Sequence, residues 1–351
     1  MTDHFAMGLA PEQDHALTEA FPDDPSVAET MNLWVYDAER DIGLNIHPRI
    51  ANGTMAAAAT LFLPDGKILR SRLDEPARFN DGAAPRSSRV AYRCETPFRR
   101  WRYSIDDLPA FATSDTEQVQ GVAPEETPGA LFSVELEAEC AAPAWRNGTL
   151  TTEAGQGMEG PAGLWIAGRT SKGMHPDSFR YDQLVRACGE IRVDGRTLPF
   201  DGVGLRCHVR GSRDLKGMAG TCWMSGLFPS GRGFGVLVNI GEDGRYAFSE
   251  ACVTDGTRLE PARVLRFPHS HREAEEGSYW LQLATDAHGM VDIEGTDVRA
   301  FYWSMPAWDA PAAGIAPVYA RHAEAGVLMK QAIARYAWDG EIGYGHDERS
   351  G

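Results

Sequence analysis

The chain has 351 residues, enough for two domains of ordinary size, and its 43% hydrophobic and 24% charged residues make an ordinary globular balance. A formal charge of −16 argues against nucleic acid and against anionic membrane surfaces, both of which need a basic face. No run approaches the roughly 20 apolar residues of a membrane span, and the first fifteen residues, with Asp3, Glu12 and Asp14, lack the basic start and apolar run of a secretory leader, so a cytoplasmic protein is expected.

In chain order, the first expected element is a short helix over 11–21. After it the punctuation becomes that of hairpins: Asn52-Gly53, Asp65-Gly66, Asp81-Gly82, Asn147-Gly148, Asp194-Gly195, Asp243-Gly244, Asp255-Gly256 and Asp339-Gly340 tolerate positive φ and close tight turns. Between these turns lie short alternating runs. Phe132, Val134, Leu136, Ala138 and Cys140 share one face while Glu135, Glu137 and Glu139 share the other, a half-buried strand. Residues 178–187 are ambiguous; 326–337 has helical propensity but runs into Asp339-Gly340 and is read as a strand. Many short strands with regular turns predict a mainly β chain of antiparallel barrels or sandwiches. Gly/Ala/Pro-rich and polar stretches around 155–177 place a break near residue 170, giving halves 1–170 and 171–351. Cys94, Cys140, Cys188, Cys207, Cys222 and Cys252 are scattered with no Cys-x-x-Cys pair, and are expected to be free thiols.

One run concentrates polar chemistry. Alternation places Val203, Leu205, Cys207 and Val209 on one strand face and Arg206, His208 and Arg210 on the other. From pattern alone the polar face is either washed by solvent or turned into a barrel. The run Gly204-Leu205-Arg206-Cys207-His208-Val209-Arg210-Gly211-Ser212-Arg213-Asp214 resembles the signature Gly-x-Arg-Asp-His-Ser-Trp-Gly followed by Arg-Asp of the lipocalin-like proteins related to carotenoid 1,2-hydratase, the AttH-like group. Tyr181-Asp182-Gln183, Phe21-Pro22-Asp23-Asp24-Pro25, Tyr36-Asp37 to Ile42-Gly43, and Trp338-Asp339-Gly340 to His346-Asp347-Glu348 extend the resemblance over nearly the whole chain. It implies two lipocalin-like β domains with a pocket for an apolar molecule. It also implies isoprenoid-hydratase or cyclase chemistry that needs no metal or organic cofactor. Two departures stand out: Cys207 replaces the signature's Asp, and Arg210 its Trp.

Two guanidiniums near His208 would favour a neutral imidazole, able to accept a proton on one nitrogen and donate from the other. Arg206 and Arg210 could stabilise a developing oxyanion. A thiol at 207 is a poor proton donor to an alkene, and Arg210 would repel a carbocation, so an oxygen-bearing substrate such as a terpenoid, steroid or polyketide suits the residues better. The expected catalytic set is His208, Arg206 and Arg210. The expected substrate contacts are Cys207, Arg213, Asp214, Trp223, Tyr181 and Trp303, with Asp214 also able to pair with Arg213. The alternative is a carrier of lipid or isoprenoid with the same pocket and no chemistry. A homodimer is compatible with either. His269-Ser270-His271 with Glu275 has cupin-like metal spacing, but no third histidine follows and the surrounding run is highly charged, so no metal site is expected. The segment 231–235 lacks nucleotide-binding spacing, and no Gly-x-Ser-x-Gly elbow exists.

Overall fold

Three turns show how the sequence builds its frame. In the computed structural model Asn52 and Gly53 take φ of 49° and 72°, Asp194 and Gly195 47° and 80°, and Asp339 and Gly340 49° and 78°. Two successive positive φ values are what a two-residue hairpin needs to match the twist of its strands. The structure describes residues 3–16, 27–79, 85–120, 127–150, 169–170, 173–174, 179–211, 218–241, 244, 246–268, 277–304 and 328–350.

The strands are β1 (Ala28–Asp37), β2 (Ile42–Ala51), β3 (Thr54–Phe62), β4 (Lys67–Pro76), β5 (Val90–Thr96), β6 (Arg100–Ser114), β7 (Ala130–Cys140), β8 (Trp145–Arg146), β9 (Arg169–Thr170), β10 (Gly173–Met174), β11 (Phe179–Val193) and β12 (Arg196–Gly211). They continue with β13 (Met218–Leu227), β14 (Gly233–Gly241), β15 (Tyr246–Thr254), β16 (Leu259–Arg266), β17 (Ser278–Thr285), β18 (Gly289–Ser304), β19 (Leu328–Trp338) and β20 (Glu341–Ser350). One short helix, α1 (Asp115–Gln120), follows β6. The first sheet runs β1-β2-β3-β4-β6-β7-β11-β12, and β12 pairs back onto β1, so these eight strands close into a barrel with β5 and β8 attached outside the ring. The second barrel is closed by β13 through β20, with β20 pairing onto β13. Closure removes the open sheet edges that would otherwise invite pairing with other chains.

Each barrel has its own apolar core, and a third cluster lies between them. That cluster, the seam, joins Trp34, Trp145, Leu184, Leu205, Cys207 and Val209 of the first barrel to Trp223, Leu227, Leu237 and Phe248 of the second. The strands that close the barrels are drawn in tightly. A Cβ at Gly204 would run into the Trp34 carbonyl, and one at Gly345 into that of Ser225.

The fold is the expected mainly β architecture, with two differences, in the N-terminal segment and in the break between the halves. The segment after Pro11 forms only a 3-10 turn, Pro11–Gln13, and residues 17–26 lie outside the described set. The ambiguous stretch 178–187 enters β11, and the C-terminal candidate is strand β19, as read. The expected break near residue 170 put Arg206 and His208 in the second half. Hydrogen bonding places them in the first barrel, because β11 and β12 are the strands that close it, and the passage to the second barrel falls between Gly211 and Met218. Composition marks a loop there but cannot say that the chain returns to its first sheet afterwards. None of the six cysteines is in a disulfide.

Candidate functional site

From Gly204 onward strand β12 is buried on both faces, so its alternation there separates two polar environments rather than an inside from an outside. Arg206, His208 and Arg210 point into the first barrel, and Leu205, Cys207 and Val209 into the seam. Of the expected site residues, Tyr181 joins the first group, while Cys207 and Trp223 belong to the second. Arg213, Asp214, His269, His271 and Glu275 lie outside the described residues; so does the side chain of Trp303, whose backbone is in β18.

Inside the first barrel, Arg206 and His208 have no exposed surface. Register sets Glu29 of β1 opposite Arg210 and Tyr181 of β11 opposite His208. His208 Nε2 lies 3.0 Å from Glu29 Oε1, and Nδ1 lies 3.0 Å from the Tyr181 hydroxyl. Glu29 also accepts from Arg210 Nη2 at 2.7 Å. Arg206 donates to Gln183 at 3.0 Å, to the Tyr181 hydroxyl at 2.9 Å and to Asp14. Asp14 comes from the N-terminal segment, and Trp101 Nε1 donates to it as well. Burial lowers the His208 pKa and outweighs the opposing pull of Glu29, so the ring is neutral. Arg206 is also penalised by burial, but Asp14 and Tyr181 more than offset this and hold it charged. Two carboxylates face two guanidiniums. The single Tyr181 proton is shared between Asp14 and His208 as acceptors. Both ring nitrogens of His208 are engaged.

The seam differs in kind. Trp34, Trp223 and His346 form a triangle of rings, with centroids 4.9 Å apart for the tryptophans and 4.5 Å and 4.7 Å from each to His346. His346 is 1% exposed, yet neither ring nitrogen has a hydrogen-bond partner. Trp34 Nε1, Asn32 Oδ1 and Ser225 Oγ are likewise buried without one, while one Asp182 oxygen faces the Cys207 thiol and Asn147. Pairing explains the convergence: Asp182 sits across from Cys207, Cys207 from Asn32, and His346 from Ser225. The other Asp182 oxygen accepts from Trp223 Nε1 at 3.0 Å and lies 3.8 Å from Arg180, whose guanidinium stacks 4.4 Å over the Trp223 ring. Burial pushes the Asp182 carboxyl above the usual range, against the opposing Arg180 charge. Burial also lowers His346 to about 3. A protonatable acid, a neutral base and several free polar atoms therefore surround an aromatic surface. Unpartnered buried polar groups each cost about 1–3 kcal/mol, so such a cluster needs a reason.

Two crevices reach this region. One, of about 300 Å³ with the solvent at its mouth included, is lined by Trp34, Asn45 and His346. The other, of about 320 Å³ on the same terms, is lined by Asp182, Trp223 and Ser225. Their enclosed parts hold no more than a water molecule. At one border, Glu250 of the second barrel accepts from Trp145 Nε1 and Gly148 N, both at 2.6 Å, and from Leu150 N at 3.2 Å. No cation shares this carboxylate among the described residues, and burial raises it to about 7. Among the described residues no group of three or more His, Cys, Asp or Glu could hold a metal ion, and no helix is long and apolar enough to cross a membrane.

Sequence reasoning did not single out Asp14, Glu29, Asp182, Trp34 or His346 for chemistry. Asp182 and His346 stood within segments of the resemblance, and alternation along β20 separates His346 from Asp347. Asp14 and Glu29 carried no local signal, because only barrel closure brings them to residues some 180 positions away.

Comparison with solved structures places the architecture. A Nitrosomonas europaea protein named as a candidate AttH is 15% identical with a TM-score of 0.58, covering 95% of this chain and 97% of that one. CghA in complex with Sch210972 is 9% identical with a TM-score of 0.51, covering 93% and 88%, and CghA alone gives 0.50 at the same identity and coverage. These likenesses are of fold. No curated protein matches the chain. A family model described as "Domain of unknown function (DUF7064)" matches residues 11–350, and the chain belongs to that family.

Proposed function

We propose that the chain is a cofactor-independent lyase or isomerase, acting on a neutral, apolar, oxygen-bearing small molecule held in the seam between the barrels. The observation that carries this reading is the set of buried polar atoms left without partners around the Trp34–Trp223–His346 triangle. A substrate oxygen would satisfy the Trp34 N–H and the Ser225 hydroxyl, and the indole faces would hold a planar or isoprenoid body. Arg180 already faces Asp182 and Trp223, which favours an uncharged ligand over a carboxylate.

Asp182, whose carboxyl burial pushes above the usual range, gives a proton to the substrate when it carries one; Trp223 N–H and Arg180 stabilise the carboxylate that forms. His346, a weak base in the empty seam, takes a proton from the neighbouring carbon as the Asp182 carboxylate forms and favours the imidazolium, and return of that proton to Asp182 through water resets the site. One proton enters the substrate and one leaves, as isomerisation or elimination requires. Cys207 lies beside Asp182 in register, so a carboxylic acid stands next to the position where the resemblance has one. The seam as seen is closed, and a ligand larger than water requires Trp34 and Trp223 to part. A carrier needs only the aliphatic and aromatic part of this lining, Leu44, Val203, Leu184 and Leu205 among it, whereas Asp182, His346, Asn45 and Ser225 add groups that mere retention does not require.

The test starts with native mass spectrometry of protein purified without detergent, to identify a retained apolar ligand. That ligand is then incubated with the protein in D2O. Wild type is expected to exchange a carbon-bound proton, and Asp182→Asn to retain the ligand while exchange falls by about 100-fold or more. Undiminished exchange in Asp182→Asn overturns the assignment.

A further inference from the structure

The N-terminal segment forms no strand, yet it places Asp14 fully buried inside the first barrel. The donors that receive this carboxylate come from the barrel wall: Arg206 Nη2 on β12, the Tyr181 hydroxyl on β11, Trp101 Nε1 on β6, and the backbone N–H of Phe98 in the turn before β6. The Cys94 thiol lies 3.9 Å away.

This cradle is held from behind by contacts that do not involve the segment. Gln183 accepts from Arg206 Nη1 and donates to the carbonyls of Phe98 at 3.0 Å and Ala142 at 2.9 Å. The Arg206 guanidinium rests over the rings of Trp101, 4.8 Å to the centroid, and Tyr181, 5.3 Å. His208 fixes the Tyr181 hydroxyl from the other side. The neighbouring cation, Arg210, is engaged by Glu29 and, from the segment, by the His15 carbonyl. Next to the cradle, the fully buried Tyr103 hydroxyl faces the same Arg206 guanidinium, so this side of the wall is polar as well. One guanidinium, one phenol, one indole N–H and one amide N–H around two oxygens suit a single negative charge of planar shape.

We propose that the wall of the first barrel is a receptor for a monocarboxylate group, which the chain fills with its own Asp14. Taking that carboxylate away opens a site for a small monocarboxylic acid. This inference is independent of the chemistry assigned to the seam.

The experiment uses the full-length chain carrying Asp14→Ala. Thermal unfolding is followed against increasing sodium formate and sodium acetate, with acetamide as the neutral isostere and sodium chloride at matched ionic strength. The variant is expected to melt roughly 5 °C or more below wild type. Formate and acetate should recover at least about half of that loss along a saturating curve. Acetamide and chloride should not, and wild type should shift by less than about 1 °C. Asp14→Asn, whose amide still fills the cradle, should ignore formate, and adding Arg206→Met to Asp14→Ala should abolish the response. If Asp14→Ala is recovered unfolded, refolding yield in formate against chloride replaces the melting curve. Equal effects of formate and chloride, or an equal formate response in wild type, overturn the proposal.

Discussion

Two histidines sit on two neighbouring strands that help close the barrels, both buried and both neutral, and they are held in opposite ways. His208 spends one ring nitrogen on Glu29 and the other on Tyr181, within a network of two carboxylates and two guanidiniums. His346 spends neither, and is packed between two indoles beside further unpartnered atoms. Burial alone therefore does not mark a working group. A buried imidazole with both nitrogens taken has its tautomer and position fixed, and it braces the wall around it. One left unpartnered costs stability, and that cost is offset only when something else binds to it.

The comparison breaks or sharpens on four changes. The largest effect is expected from His346→Phe, which should reduce ligand proton exchange by about 100-fold or more while stability stays within about 1 kcal/mol of wild type, since no hydrogen bond is lost. Next, His208→Phe should leave exchange within about threefold but lower stability by about 1–3 kcal/mol in urea unfolding, because Glu29 and Tyr181 each lose a partner. The reverse pattern in these two variants would exchange the roles of the two sites.

The third change is pH. His346 goes from 6.5 in the unfolded chain to about 3 when folded, so across that interval the unfolded state binds the extra proton. Its contribution is complete above 6.5 and is lost as pH falls towards 3. Wild type should therefore lose more stability than His346→Phe between about pH 7 and pH 5 in matched denaturant titrations. The smallest effect belongs to Glu250, whose shift has the opposite sign. Its folded pKa rises from 4.5 to about 7, so its contribution is present below 4.5 and lost as pH rises through 7. Glu250→Gln should remove that opposing slope and change stability by about 1 kcal/mol or less at neutral pH. An unaltered slope would show that the 145–150 segment does not depend on this carboxylate.

Much of the architecture was legible because its causes are local. Asp-Gly and Asn-Gly pairs announced hairpins, and the alternation of Phe132 through Cys140 announced β7. Alternation at 203–210 also separated the two faces of β12 correctly. What it could not say is what each face meets, since a second barrel covers the side that would otherwise be wet. Tyr181 was placed with His208, while Trp223 and Cys207 fell across the strand from them. Asp14 and Glu29 are invisible to any window of neighbouring residues, because their partners arrive only when β12 closes onto β1. Asp182 and His346 were in view, but the burial of the one and the lack of partners of the other are properties of the assembled seam.

Closure of the first barrel by β12 also fixes where the molecule can be divided. A gene fragment ending near residue 170 omits both β11 and β12, leaving β1 and β7 as bare edges ready to pair with other copies. The ribosome meets the same constraint: the first 170 residues emerge as an unfinished sheet, and only after Gly211 can the earliest strand, already paired with β2, gain its second neighbour. Separate expression of the halves therefore requires a cut between Gly211 and Met218, and the released pieces would each carry a greasy tryptophan face in search of the other.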